Sequence, residues 1–387
     1  MGQPQVQKNT SIDCDLGLGD RQRAWVEIDL SAIKHNIKEL KSLLAPQTAL
    51  MAVVKADAYG HGAVTVAKTV IEAGAEWLGV ATVPEGIELR SSGIKAPILI
   101  LGATYTVEQI EAVSYWKLQP TLGSLEAAKL YSQTLKEILP VHIKLDTGMS
   151  RLGLSWQQAV EFVELVHDLP NLQIASIYSH LATAESCDRT VMNLQQQRFE
   201  TAIAQLAAIN LPPPCLHLAN SAATLTDSSL HYDLVRVGLA VYGLYPATQL
   251  QTAVNLKPVL QVKARVTQVK TIEPQTGVSY GYKFISDRTT LIAVVGIGYA
   301  DGVPRNLSNQ MMVIIRGKKI PQIGAITMDQ LMLDVSAIPN LQPGEIVTLL
   351  GIDGSENISA DDWAKQLNTI SWEILCGFTR RLPRIFF

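Results

Sequence analysis

Residues 48–62 read TALMAVVKADAYGHG, an almost unbroken apolar run that stops at a lysine and a glycine-punctuated turn. A run this short and this apolar suits a strand covered on both faces, as in a parallel sheet. Outward from it the texture repeats: EWLGVA (76–81), APILIL (96–101), LQPTL (118–122), VHIKLDT (141–147), QIASIYSHL (173–181), PCLHLAN (214–220) and DLVRVGLA (233–240), with helical stretches such as 124–138, 156–169 and 189–209 between them. Eight βα units predict a (β/α)8 TIM-like barrel, with a doubly wound open sheet as the alternative. After Tyr245 the runs alternate without long helices: VLQVKARVTQVKTI, TTLIAVVGIGYADG, QMMVIIRGKKI, IGAITMDQLMLDV and EIVTLLG. Leu260, Val262, Ala264 and Val266 opposite Gln261, Lys263, Arg265 and Thr267 form a half-solvated strand, so an all-β domain, a small barrel or sandwich, follows the α/β one. The expected division is 1–22 a disordered extension, 23–255 the barrel and 256–387 the C-terminal β domain.

Composition narrows the function. Hydrophobic residues make up 47% of the 387 and charged residues 17%, so the chain is built to fold. The net charge is −3 and the only basic cluster is Arg380, Arg381 and Arg384, which argues against nucleic acid as a partner. The four cysteines lie far apart with no Cys-x-x-Cys pair, against a disulfide framework or a thiolate zinc site and for a reducing, cytoplasmic setting. No apolar run reaches membrane-spanning length, and residues 1–20 lack the features of a signal peptide, so a soluble protein is expected. The seven histidines are dispersed, and no metal site is expected.

A barrel of this class builds its active site from the loops after its strands. At or near those positions stand Lys55 after the first run, Arg151 in DTGMSRLG after the fifth, His180 near the end of the sixth, Asn220 with Ser221 after the seventh, and Arg236 inside the eighth. A lysine at a strand end usually reaches solvent. Lys55, following five nonpolar residues and preceding a Tyr59-Gly60-His61-Gly62 turn, is better placed to be desolvated, with the lowered pKa a Schiff-base lysine needs. Gly238 and Leu239 can offer backbone N–H groups to a phosphate near the Ser221 hydroxyl, although taken alone a plain glycine turn is the better explanation. GIGYADG (296–302) fails as a dinucleotide fingerprint because its third glycine position is Asp301, and P-loop, zincin and hydrolase-elbow motifs are absent.

Taken together, AVVKADAYGHG (52–62), KLDTGMSRLG (144–153), SHLATAE (179–185), HLANSAA (217–223), VRVGLAVYG (235–243), GVSYGYKF (277–284), GIGYADG (296–302) and ITMDQLMLDV (326–335) closely resemble the alanine racemase family, in its order and spacing from about Ala24 to the C-terminus. The resemblance implies a pyridoxal 5′-phosphate (PLP) enzyme of fold type III that interconverts L- and D-alanine for bacterial peptidoglycan. It further implies that Lys55 carries PLP and acts on one face of the substrate Cα, and that Tyr280, supplied by the partner subunit of a homodimer with shared sites, acts on the other. By the same resemblance Arg236 faces the pyridine nitrogen and His180 links Arg236 to Tyr280. Arg151 contacts the PLP phenolic oxygen and the substrate, and Met328 and Asp329 belong to the substrate carboxylate site. Tyr59, Asn220, Ser221, Gly238, Leu239 and Trp372 form the cofactor shell, and Lys144 matches a lysine often carbamylated in the family.

Two positions depart from the pattern. Ser150 stands where many relatives have Gly, and Trp372 where many have a Tyr whose hydroxyl reaches the phosphate; an indole offers only a donor N–H elsewhere. A non-catalytic PLP-carrier barrel and a PLP-dependent decarboxylase are the competing expectations. The residues beyond the barrel, with Tyr280 and Met328, weigh against the carrier. Cys376, in ILCGFTRR without an acidic neighbour, weighs against the decarboxylase.

Overall fold

The structure is a computed structural model in which residues 21–387 are described; the expected extension over 1–22 lies, apart from its last two residues, outside the described residues. By internal contacts the chain divides into two units. One comprises Glu27–Gln261, Asn357–Thr379 and Phe386–Phe387; the other comprises Val262–Glu356, Arg380–Ile385 and, among the described residues of the N-terminal side, 21–26.

The first unit is built on a parallel barrel. Its eight strands are Ala49–Val53, Trp77–Val80, Ile98–Ile100, Gln119–Leu122, Leu139–Asp146, Leu172–Tyr178, Leu216–His217 and Leu234–Val237. The last pairs in parallel with the first, Leu234 opposite Ala49. Between the seventh and eighth, the Asp233 N–H donates to Leu216 O and the Arg236 N–H to Ala219 O, both at 3.0 Å, which nearly closes the ring. Each apolar run of the sequence thus becomes a strand. The seventh is cut to two residues because Pro212, Pro213 and Pro214 cannot donate to a ladder and Asn220 already caps the next helix through Ala223 N. Met51, Leu99 and Leu234 meet in the barrel interior, with Trp77 and Leu101 against them.

Two helices that alternation alone does not announce, Ala360–Leu367 and Ser371–Gly377, also belong to this unit. The first starts at a capping box, the Ser359 hydroxyl accepting from Asp362 N while the Asp362 carboxylate accepts from Ser359 N.

The second unit contains an antiparallel barrel. Its strands run Leu260–Ile272, Thr290–Val295, Leu331–Asp334, Lys318–Ile323, Met312–Ile315 and Ile346–Asp353 in spatial order, and the last pairs back to the first. Closure removes free edges from the ladder. Within GIGYADG, Asp301 is fully buried, takes two hydrogen bonds from Arg23 at 2.6 and 2.7 Å, and accepts from Gly298 N at 3.0 Å. A Cβ on Gly298 would stand 2.3 Å from Thr327 O. The motif's glycine and aspartate are therefore explained by packing and by a buried ion pair.

Candidate active site

Lys55 leaves the first barrel strand directly into an unusual turn. Ala56, Asp57, Ala58 and Tyr59 all have φ of 52–55°, a full turn of left-handed helix built without glycine. L-residues enter that region at about 1–2 kcal/mol each, so the surroundings must over-determine it. They do. Ala58 N donates to Val54 O, Gly62 N to Asp57 O and Ala63 N to the Asp57 carboxylate, each at 2.8–2.9 Å. Glu85, which caps the helix after the second strand by accepting from Ala81 N and Thr82 N, also accepts from Ala56 N at 2.8 Å. On the other side the helix Ser371–Gly377 packs so closely that a Cβ on Gly60 would lie 2.6 Å from Leu375 O. Trp372 sits half-buried on that helix.

The result is a half-buried Lys55 amine whose pKa is lowered, first by desolvation and then by the Arg151 charge, against smaller opposing effects of Glu85 and Cys376. Across the mouth, Arg236 is 4% exposed and, among the described residues, makes hydrogen bonds only to neutral acceptors: His217 Nδ1 at 2.9 Å, Ser179 O at 2.7 Å, Leu218 O at 3.1 Å and His180 Nδ1 at 3.2 Å. Burial draws even this guanidinium down to about 10. His180 is pushed well below the ordinary imidazole value by burial, then by Arg236, Lys144, Arg151 and Lys55. Lys144, its Nζ 4.9 Å from the centre of the Tyr178 ring, is lowered to about 7 by burial and by Arg236 and Arg151. Cations crowd this end of the barrel and leave it receptive to an anion.

A cradle lies beside them. The Ser221 hydroxyl accepts from Gly238 N at 3.0 Å and Ala240 N at 3.4 Å. A Cβ on Gly238 would stand 2.5 Å from the Tyr59 hydroxyl, so only glycine leaves room there. Buried serine and tyrosine hydroxyls, adjoining backbone N–H groups and a nearby amine of lowered pKa match the chemistry of a phosphorylated aldehyde, and the residues fit PLP.

The structure thus brings Lys55, Tyr59, Lys144, Arg151, His180, Ser221, Arg236, Gly238 and Leu239 to the strand ends of one barrel. Asn220 adjoins them as a helix cap. Tyr280, 71% exposed, and Met328, 52% exposed, lie in the second unit, where Asp329 pairs with Arg381 at 2.8 Å. Sequence reasoning passed over Glu85, Tyr178 and His217. The last was visible in HLANSAA, but its inward direction required the barrel.

Comparison with known proteins identifies the family. The alanine racemase N-terminal domain matches residues 28–246 and its C-terminal domain 259–386. Among relatives, an alanine racemase of Nostoc sp. is 66% identical, over 96% of this chain and 98% of its own length, and one of Synechocystis sp. is 60% identical, over 94% and 99%. Solved structures of alanine racemase from Clostridium difficile and, with bound L-Ala-P, from Bacillus anthracis superpose with TM-scores of 0.91 and 0.90, each at 34% identity and covering 95% of this chain and 96% and 95% of theirs. The chain therefore belongs to the alanine racemase family and is a PLP-dependent isomerase of L- and D-alanine.

Proposed function

We propose that racemisation here uses two bases, Lys55 of one subunit and Tyr280 of a second copy of the chain. Bound PLP supplies the electron sink that makes the substrate Cα–H acidic. Lys55 would hold the cofactor through its amine and, released by the substrate, move a proton at one face of Cα; its lowered pKa keeps a neutral amine accessible. Inversion needs a second group on the opposite face. The phenols around Lys55 are poor choices: burial raises Tyr178 to about 12, and Tyr59 and Tyr242 are held above the ordinary value by the same cause. Tyr280, exposed beside the equally exposed Tyr282, is free to serve another subunit, which makes a homodimer the working form.

Arg236 would face the pyridine nitrogen. A guanidinium does not give up its proton at neutral pH, so the ring stays a weaker sink than one paired with a carboxylic acid, and proton return is favoured over side reactions. His180 would connect Arg236 towards Tyr280, and Arg151 and the Met328 N–H, with Asp329 adjoining, would orient the substrate. Tyr59, Ser221, Gly238 and Leu239 would hold the phosphate, with Asn220 and Trp372 beside them. Lys144, lowered to about 7 so that a substantial fraction of its amine is neutral near pH 7, is chemically able to take up carbon dioxide and orient Arg151. A cytoplasmic supply of D-alanine for peptidoglycan is the corresponding role.

The observation that carries the reading is the half-buried amine of lowered pKa opposite a guanidinium with only neutral partners. Mixing Lys55→Ala and Tyr280→Phe chains tests it, because one site of each mixed dimer is then intact. Polarimetry on L-alanine should show restored activity; verified mixed dimers without activity would refute the shared site.

A further inference from the structure

Behind Arg236 a file of polar side chains runs round the barrel interior, one from each of five successive strands. Arg236 NH1 meets His217 Nδ1 at 2.9 Å; His217 Nε2 meets Ser176 Oγ at 2.8 Å; Ser176 Oγ meets His142 Nδ1 at 2.6 Å; His142 Nε2 meets Gln119 Oε1 at 2.7 Å. His142, Ser176 and His217 are almost fully buried. Burial holds His142 at about 3 and His217 well below the ordinary imidazole value, so both rings are neutral near pH 7.

Neutral imidazoles have one donor and one acceptor nitrogen, and guanidinium only donates. Those two facts set every link. Arg236 donates to His217 Nδ1, so the proton sits on Nε2 and is donated to Ser176. The Ser176 hydroxyl donates to His142 Nδ1, and His142 Nε2–H donates to the Gln119 carbonyl. Running the file the other way ends with His217 Nδ1–H pressed against an Arg236 N–H at 2.9 Å, donor against donor.

We propose that Gln119, His142 and Ser176 are positioning residues that lock His217 in its Nε2–H tautomer, and thereby fix Arg236 where it meets the cofactor ring without giving it a counter-ion. A carboxylate would hold the guanidinium more firmly but cancel its charge; a tautomer-locked imidazole orients it and leaves the charge intact. The critical link is His142. Without it the Ser176 hydroxyl loses its acceptor and turns to donate to His217 Nε2, which favours the Nδ1–H tautomer and expels Arg236.

The proposal rests on Arg236 facing the cofactor, and the test separates the two ideas. In holoenzyme labelled with 15N-histidine, the His217 signal, assigned by its loss in His217→Gln, should report a neutral ring protonated at Nε2. His142→Leu should introduce the Nδ1–H tautomer, shift the absorbance of the bound cofactor and lower kcat about tenfold with little change in KM. His142→Gln, whose amide oxygen can again accept from Ser176, should recover most of the loss. If His142→Leu does not fold, Gln119→Met, at the half-buried end of the file, should produce the same signature. An Nδ1–H or doubly protonated His217 in the unmodified enzyme would overturn the proposal, as would an unchanged tautomer in the variant. A changed tautomer with unaltered kcat and cofactor absorbance would overturn the link to catalysis and, with it, the placement of Arg236 at the ring.

Discussion

Trp372 stands where many relatives in the family have a tyrosine. It lies on the helix that packs against the Lys55 turn, within the same unit, so the family's tyrosine would stand beside the cofactor shell as well. Losing a phenol hydroxyl from a phosphate site removes a charge-assisted hydrogen bond worth about 1.5–3 kcal/mol if nothing replaces it. Tyr59, Ser221 and the Gly238 cradle remain, so the net loss should be smaller. Trp372→Tyr is expected to tighten PLP slightly and to shift the alanine-to-serine ratio of kcat/KM toward alanine, read by PLP titration and polarimetry. If both stay unchanged, Trp372 does not line the site. Ser150 is the simpler departure: its φ is 54°, the left-handed conformation that glycine adopts freely, and its N–H is one of three donated to the Asp146 carboxylate. The strain of about 1 kcal/mol is largely offset by the extra freedom glycine brings to the unfolded chain. Ser150→Gly should therefore change stability by less than about 1 kcal/mol in urea unfolding, which accounts for the serine being tolerated.

At the scale of elements, two short segments carry the site: the left-handed turn after the first strand and the loop after the eighth. They meet where the Tyr59 hydroxyl approaches Gly238. Gly238→Ala would place a methyl group 2.5 Å from that oxygen and should weaken PLP binding at least tenfold, with the fold kept. Adding Tyr59→Phe removes the clashing atom. The double variant should therefore bind PLP better than the product of the two single losses predicts, and PLP titration of all four proteins measures the coupling. The turn depends on Glu85, which reaches both Ala56 N and a helix start. Glu85→Gln keeps one carbonyl acceptor where the carboxylate supplied two oxygens, and protease susceptibility near Lys55 should rise.

For the whole molecule, the buried imidazoles shape the response to acid. His142 and His217 have pKa values lowered by burial, His142 to about 3 against an ordinary 6.5. Between those limits the unfolded chain binds a proton that the folded one refuses, so stability rises with pH through the window, falls as pH drops below about 6.5, and bears the full penalty below 3. Each such group adds about 1.4 kcal/mol per pH unit to the slope. Urea unfolding of the apoenzyme from pH 7 to 4 should show this decline, and His142→Gln should flatten it by close to one proton; an unchanged slope would mean that His142 is already charged when folded.

What the sequence determined alone was periodic and local. Apolar runs of strand length, separated by helical stretches, specify a parallel barrel because each strand must be covered on both faces, and alternation from Leu260 onward specifies a half-solvated antiparallel sheet. Strand-end positions then singled out Lys55, His180 and Arg236, since chemistry in such barrels sits at one rim. Three things were decided only by the tertiary structure. The left-handed turn at Ala56–Tyr59 has no glycine to announce it, and its strain is held by Glu85 and Leu375, both distant in sequence. The helices at 360–377 join the barrel unit by packing, which no local pattern reports. The file from Gln119 to Arg236 takes one residue from each of five strands, and its direction follows from a single guanidinium at the end; only closure of the sheet brings those residues within hydrogen-bonding distance.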